Sequence, residues 1–558
     1  MAQAAFNAKL GKFGSPVKTI LADMAKHKIT ARLWASDHRL WRPQPTEIEN
    51  RLGWLTVAEQ MQDRASPLKA FANSVRDDGF RHVVLLGMGG SSLGPEVLRQ
   101  SFRLTRGYPE LIVLDSTVPG AVREVSRTIK PARTLFILAS KSGGTIEVLS
   151  LFAHFWNLVA RAKGNSGGNQ FIAVTDPGTS LGGLAQERGF RTTFVNPADI
   201  GGRYSVLSYF GFVPAALMGL DLETLMQRAI DMGRACGPDH QPERNPGAYL
   251  GAAMAALARE GRDKVTLIAS PAIESFGLWA EQLLAESTGK EGKGIIPIAQ
   301  EPMVPPAAYG NDRLFIYLRL DGDRNDRPDR HVAALEKAGH PTIRLRLRDR
   351  YDLAAEFFRW EFATAVAGHY LKIHPFDQPN VQESKENTAR ILDGVRKTGR
   401  LPAVQATGAI SELLEKASPG SYLALLNYVK PSADVDAAVA VFRKSVMQRY
   451  RFATTAGYGP RYLHSTGQLH KGGPATGLFL QLIGNMKPDV MVPNAAYTFG
   501  TLAQAQAVGD LQSLEAHQRP VARVELAGNI TARIRSLLAQ AKPRRNSRTR
   551  KLTARRKR

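Results

Sequence analysis

The 558-residue sequence contains a single cysteine, Cys236. One thiol excludes an intrachain disulfide framework and fits a reducing compartment, so a cytoplasmic protein is expected. Long hydrophobic runs are missing too: no uninterrupted apolar stretch approaches the roughly 18–20 residues of a membrane span. The opening, MAQAAFNAKLGKFGSPVK, has no apolar signal core, so secretion is not expected. Cysteines and histidines do not cluster at metal-ligand spacing, and no metal site is predicted. No repeat of solenoid period occurs. Acids are in deficit, with 50 Asp+Glu against 74 Lys+Arg and a net charge of +24. Part of that excess sits in residues 542–558, KPRRNSRTRKLTARRKR, which carry ten Lys/Arg and no acid. Setting those ten aside leaves 24 − 10 = +14 for the body. The tail has one sizeable apolar side chain, Leu552, and is expected to be disordered. Its charge allows polyanion binding, but a silent extension is the favoured reading and nucleic acid is not the expected partner. The body's surplus suits a small anionic substrate.

A chain of this length exceeds one core, so two or more domains are expected, and 43% hydrophobic residues suffice to fill them. Residues 1–60 read as a helical, irregular arm. From residue 80, apolar runs alternate with amphipathic stretches: HVVLLG (82–87), LIVLDS (111–116), TLFILAS (134–140), FIAVTD (171–176), with TTFVNP closing at 197. Continuous apolar strands separated by helices predict a doubly wound parallel α/β sheet covered on both faces. A polar, Pro-rich break, GPDHQPERNP (237–246), reads as a linker. The alternation then resumes with KVTLIAS (264–270), RLFIYLRL (313–320), TIRLRL (342–347) and a long helix over 351–371. The division expected is an arm (1–60), a first α/β domain (61–236), a second α/β domain with a C-terminal extension (247–541) and the tail (542–558). Whether the segment from about 405 to 540 extends the second sheet or stands apart is left open.

Five stretches can carry chemistry. QLLAESTGK (282–290) ends a helical run on Glu286, where a carboxylate meets the negative end of the helix dipole and is placed as a proton-transfer base. GMGGSSLGP (87–95) follows a strand and opens a helix, so its amides face an anion. A dinucleotide fingerprint is a weaker reading there, with Asp115 as the ribose acid, because the third glycine position is Ser92. SKSGGT (140–145) offers hydroxyls, free amides and a helix N-terminus, a cradle for one phosphate without metal. In DIGGRYSVLS, Arg203 stands at the positive end of a predicted helix, where a nearby anion explains it better than the dipole does. HPFDQPNVQESKENT carries Gln378 and Lys385, and RYLHSTGQLHKGGP carries His464 and His470.

Taken together and in this order, GMGGSSLGP, SKSGGT, GGRYSVLS, QLLAESTGK and FDQPNVQESK resemble the phosphoglucose isomerase family, from about residue 50 to 525. Through LHSTGQLHKGGP and YTFGTLAQAQAVGDLQ, the likeness is nearest to the isomerase portion of bacterial bifunctional transaldolase/phosphoglucose isomerase proteins. No transaldolase activity is expected, since nothing supplies a further (β/α)8 barrel. The resemblance implies two sugar-isomerase (SIS) type α/β domains, a homodimer, no cofactor, and interconversion of glucose 6-phosphate and fructose 6-phosphate. It implies Ser140, Lys141, Ser142 and Thr145 as the phosphate loop and Arg203 as the residue steadying the enediolate. It implies Glu286 as the base between C1 and C2. It assigns substrate contacts to Gln282, Gln378, Gly89, Gly90 and Ser91, and a place near the phosphate and ring oxygen to Lys385. The family's ring-opening histidine normally precedes the FDQ motif. Here LHSTGQ follows Lys385, so His464 fits the motif and not the order, and His374 and His470 stay open as alternatives. The other function weighed is a non-catalytic sugar-phosphate-binding regulator, which needs the phosphate turn but not the base.

Overall fold

The computed structural model describes residues 6–404 and 409–540. The basic tail, expected to be disordered, lies outside the described residues. A short strand, β1 (Phe6–Lys9), opens the chain and joins a sheet formed much later. Helices Gly14–Lys26 and Ile29–Trp34 follow, then a series of 3₁₀ turns. This arm packs by its tryptophans: Trp34 Nε1 donates to the Cys236 carbonyl (2.8 Å) and Trp41 Nε1 to that of Ala365 (2.9 Å).

The first sheet consists of β2 (His82–Gly87), β3 (Glu110–Leu114), β4 (Thr134–Ala139), β5 (Phe171–Thr175) and β6 (Thr192–Val195), in the order β3-β2-β4-β5-β6 and parallel throughout. The second holds β7 (Lys264–Ala269), β8 (Ile296–Ile298), β9 (Arg313–Leu320) and β10 (Thr342–Leu347), in the order β1-β10-β9-β7-β8, with only β1 antiparallel. β4 and β5 are fully buried, as continuous Val/Ile/Leu/Phe runs demand when helices cover both faces. β8 was not anticipated: it has three residues and a proline in the middle, tolerable because it lies at the sheet edge.

The segment after residue 409 forms a third sheet: β11 (Tyr422–Tyr428), β12 (Ala453–Tyr458), β13 (Gly477–Ile483) and β14 (Val521–Glu525), parallel, in the order β12-β11-β13-β14. It shares no strand pairing with the second sheet. β12, with the sequence ATTAGY, is too small and polar to stand out by hydrophobicity. Helix Asp352–Leu371 is buried over its first seventeen residues and packs against helices Leu222–Ala235 and Pro246–Arg259, so the core passes between the sheets. Helix Phe276–Thr288 also lies deep in the molecule, and Glu286 comes from its last turn. Among the described residues no helix is long and apolar enough to cross a membrane.

Candidate active site

Glu286 is 7% exposed, so it is not a solvated acid at a helix end. One turn earlier on the same face, Gln282 donates from Nε2 to Glu286 Oε2 (3.1 Å) and to the His464 carbonyl (2.8 Å). The Gln282 Oε1 is buried without a partner among the described residues, an acceptor left open at the site. Arg203 Nη1 lies 3.8 Å from Glu286 Oε2. A buried ion of either sign is costly unless paired, and this couple offsets both.

Arg203 sits in a one-turn 3₁₀ helix, Gly202–Tyr204, rather than at the start of the longer helix expected; that helix begins at Tyr209. Its guanidinium is fully engaged. Nε donates to Ser287 Oγ (2.8 Å), Nη1 to Gln378 Oε1 (2.7 Å), and Nη2 to the carbonyls of Pro375 (2.7 Å) and Asp377 (3.0 Å). The fork therefore ties helix Phe276–Thr288 to the FDQ turn and holds Gln378 beside Glu286.

The phosphate-type turn follows β4. Ser140 Oγ and Thr145 Oγ1 are 2.8 Å apart, and the Gly143 amide donates to Ser140 Oγ (3.1 Å). Thr145 immediately precedes helix Ile146–Lys163 without capping it through its side chain, so the positive helix end faces the turn. Ser142 is exposed. Lys141 turns aside, pairing with Asp176 and donating to the Ala198 carbonyl.

Two residues past that turn is Glu147, buried in the helix's first turn. His464 Nε2 meets Glu147 Oε1 at 2.8 Å. Burial alone raises the Glu147 pKa, but the charge and hydrogen bond of His464, with a smaller contribution from Lys385, hold it below the usual carboxylate value. Gln506 Nε2 donates to the same Oε1 (2.6 Å) and accepts from Thr117 through its own oxygen (2.8 Å). Lys385 is exposed on helix Pro379–Thr398. The glycine turn closes the site: a Cβ on Gly89 would stand 2.5 Å from the His464 carbonyl and 2.8 Å from Gln282 Nε2, and one on Gly90 would stand 1.9 Å from the Gly202 carbonyl. Ser91 follows in the same turn, buried.

The chain therefore brings Glu286, Gln282, Arg203, Gln378, His464 and the 89–91 turn into one connected cluster. Glu147 links that cluster to the 140–145 turn. The other two histidines make different contacts, His374 within the FDQ turn itself. His470 is buried against Tyr462 and Phe479, its pKa held well below normal by burial and then by Lys471 and Arg519. His374 accepts from the Phe376 amide (3.1 Å) and lies beside Asp377 rather than Glu286. Asp115, the ribose acid of the dinucleotide reading, is taken up by a bidentate pair with Arg461 (2.7 and 2.8 Å). Two cavities, of about 920 and 440 Å³, are lined by other residues.

Sequence reasoning missed Glu147, Ser287 and Lys290. Glu147 reads locally as a first-turn acid favoured by the dipole, and Ser287 and Lys290 as helix-end polar residues. Only the two-residue spacing from Thr145 marked Glu147 as a neighbour of the phosphate turn.

A family model, phosphoglucose isomerase, matches residues 56–292, which include the 89–91 and 140–145 turns, Arg203, Gln282 and Glu286. A glucose-6-phosphate isomerase of Rubrobacter xylanophilus is 30% identical over 393 residues, covering 62% of this chain and 89% of the relative. One from Symbiobacterium thermophilum is 30% identical over 409 residues, with 64% and 90% covered. The crystal structure of a glucose-6-phosphate isomerase from Chlamydia trachomatis superposes with a TM-score of 0.58 at 18% identity, over 68% of this chain and 86% of that one, and shows a shared fold. On these likenesses the chain belongs to the phosphoglucose isomerase family.

Proposed function

We propose that the protein interconverts glucose 6-phosphate and fructose 6-phosphate, as its family membership supports. The observation that carries this reading is the continuous chain from the base to the phosphate turn: Glu286 to Gln282, Gln282 to His464, His464 to Glu147, and Glu147 two residues beyond Thr145.

In this reading the phosphate rests on Ser140, Ser142 and Thr145 and the helix N-terminus behind them, with Lys141 contributing charge from beside Asp176. His464, held by Glu147, works with Lys385 to open the ring, moving a proton between the ring oxygen and the anomeric hydroxyl. The Glu286 carboxylate then removes the C2 proton of the open aldose. The electron pair forms the C1–C2 double bond of a cis-enediol, and Arg203 stabilises the negative oxygen. Glu286 returns its proton to C1 while the hydroxyl proton on O2 passes to O1, leaving the carbonyl at C2 and a hydroxyl at C1. Gln282, Gln378, Gly89, Gly90 and Ser91 contact the sugar. Cytoplasmic location is proposed from the single cysteine, and a homodimer from the family resemblance, measurable by sedimentation. A regulator lacking catalysis would have no use for a buried carboxylate facing an arginine, and that reading is not favoured.

A coupled assay of fructose 6-phosphate conversion tests the activity. Glu286→Gln should leave the fold intact and lower turnover by roughly 10²–10⁴. Near wild-type turnover in that variant would remove the mechanism.

A further inference from the structure

Lys290 is the last residue of the stretch that carries the base, and the reaction as written gives it no task. It is 3% exposed. Its ammonium donates to three oxygens of one turn: the carbonyl of His374 (2.5 Å), the carbonyl of Asp377 (2.6 Å) and Asp377 Oδ1 (2.5 Å). An ammonium has three protons, so its donor capacity is spent on this turn. The Asp377 carbonyl also accepts from Arg203 Nη2 (3.0 Å), so two buried cations share one oxygen. The next residue is Gln378, held by the other arm of the same guanidinium (2.7 Å).

We propose that Lys290 is a positioning residue of the isomerase site, clamping the 374–377 turn so that Arg203 and Gln378 meet the substrate in register with Glu286. The inference rests on the function proposed above. Lys290 reaches no sugar atom in this scheme and acts through the turn. Without it, the carbonyls that orient Arg203 Nη2 lose their second anchor, and the Asp377 carboxylate loses its ion pair. The charged and titratable groups facing Lys290 are Arg203 from the 3₁₀ turn, Glu286 from the base helix, and Asp377 and His374 from the clamped turn. Burial, then repulsion from Arg203, brings its pKa down to about 7, while Asp377 and Glu286 oppose the fall. Nature has placed a second cation beside Arg203 at evident electrostatic cost, and the turn is what it holds.

The test uses the full chain, with kcat and KM for fructose 6-phosphate in a coupled assay and a thermal melt for each variant. Lys290→Met should lower kcat by about 10- to 100-fold, the scale of a misplaced reacting group, with KM within about threefold of wild type. Because Lys290 acts through the turn that carries Gln378, its loss and Gln378→Ala should be non-additive. The double variant should fall no more than about threefold below the worse single variant. An unchanged kcat, or effects that multiply in full, overturns the proposal. If Lys290→Met does not fold, Lys290→Gln carries the test, since it removes the charge and one of the three protons that hold the turn while keeping a polar side chain; a kcat equal to wild type then overturns it. An inactive wild-type protein would instead refute the isomerase function itself, so the two failures are distinguishable.

Discussion

The contact between Glu147 and His464 offers the sharpest test of how the site works. The two residues are separated by 317 positions, Glu147 on the helix that follows β4 and His464 on the 3₁₀ turn that follows β12, yet they meet at 2.8 Å with Glu147 almost fully buried. Replacing Glu147 with Gln keeps the shape and the Gln506 neighbour but removes the charge that anchors the imidazole. A hydrogen bond to a charged partner contributes about 1.5–3 kcal/mol. At about 1.4 kcal/mol per decade, the step that depends on His464 should slow by roughly 10- to 150-fold. If that step is ring opening, the loss must be selective. An open-chain mimic of the enediolate, such as a five-carbon hydroxamate phosphate, needs no ring opening and should bind Glu147→Gln about as tightly as wild type. Turnover of the cyclic substrate should fall by the stated factor in the coupled assay. Full turnover would refute the dyad. Equal loss of hydroxamate binding would show instead that Glu147 shapes the whole pocket.

The same pair sets an acid limb. The folded-state pKa of Glu147 is depressed below its ordinary value of 4.5, so its contribution to stability is present above 4.5 and disappears as pH falls through the lower folded value. Urea titrations from pH 6 to pH 3 should show wild type converging on Glu147→Gln, and a constant difference would refute the linkage. Gly90→Ala should abolish activity and cost at least the 1–3 kcal/mol typical of overpacking, because its Cβ meets the Gly202 carbonyl at 1.9 Å. A stable, active Gly90→Ala protein would disprove that close approach. Asp115→Asn leaves Arg461 without its bidentate partner between the first and third sheets and should lower unfolding free energy by about 3–5 kcal/mol, read as a shifted urea midpoint. An unchanged midpoint would mean that the pair is not a structural tie.

Much of the first two sheets is legible in the chain. RLFIYLRL and TIRLRL became β9 and β10 with the ends expected: β9 is buried over most of its length, and β10 alternates, with Arg344 half-buried and Arg346 exposed. β12 escaped notice because ATTAGY is carried by its neighbours in the sheet rather than by its own hydrophobicity. Arg203 was legible as a cation needing an anion, but the short 3₁₀ turn that presents it was not. Its geometry depends on Ser287, Pro375, Asp377 and Gln378, none of which is local to it.

By itself, the sequence determined which chemistry is on offer: an acid ending a helix, a hydroxyl-rich turn after a strand, an arginine where a helix dipole disfavours it. These are properties of neighbouring residues, and local backbone geometry expresses them. Tertiary structure alone decided that His464, on the 3₁₀ turn after β12, meets Glu147 and lies against Gln282. The order of motifs along a chain does not constrain which of them packing brings together. His464 could therefore be out of sequence order and still lie against Gln282, one helical turn from Glu286.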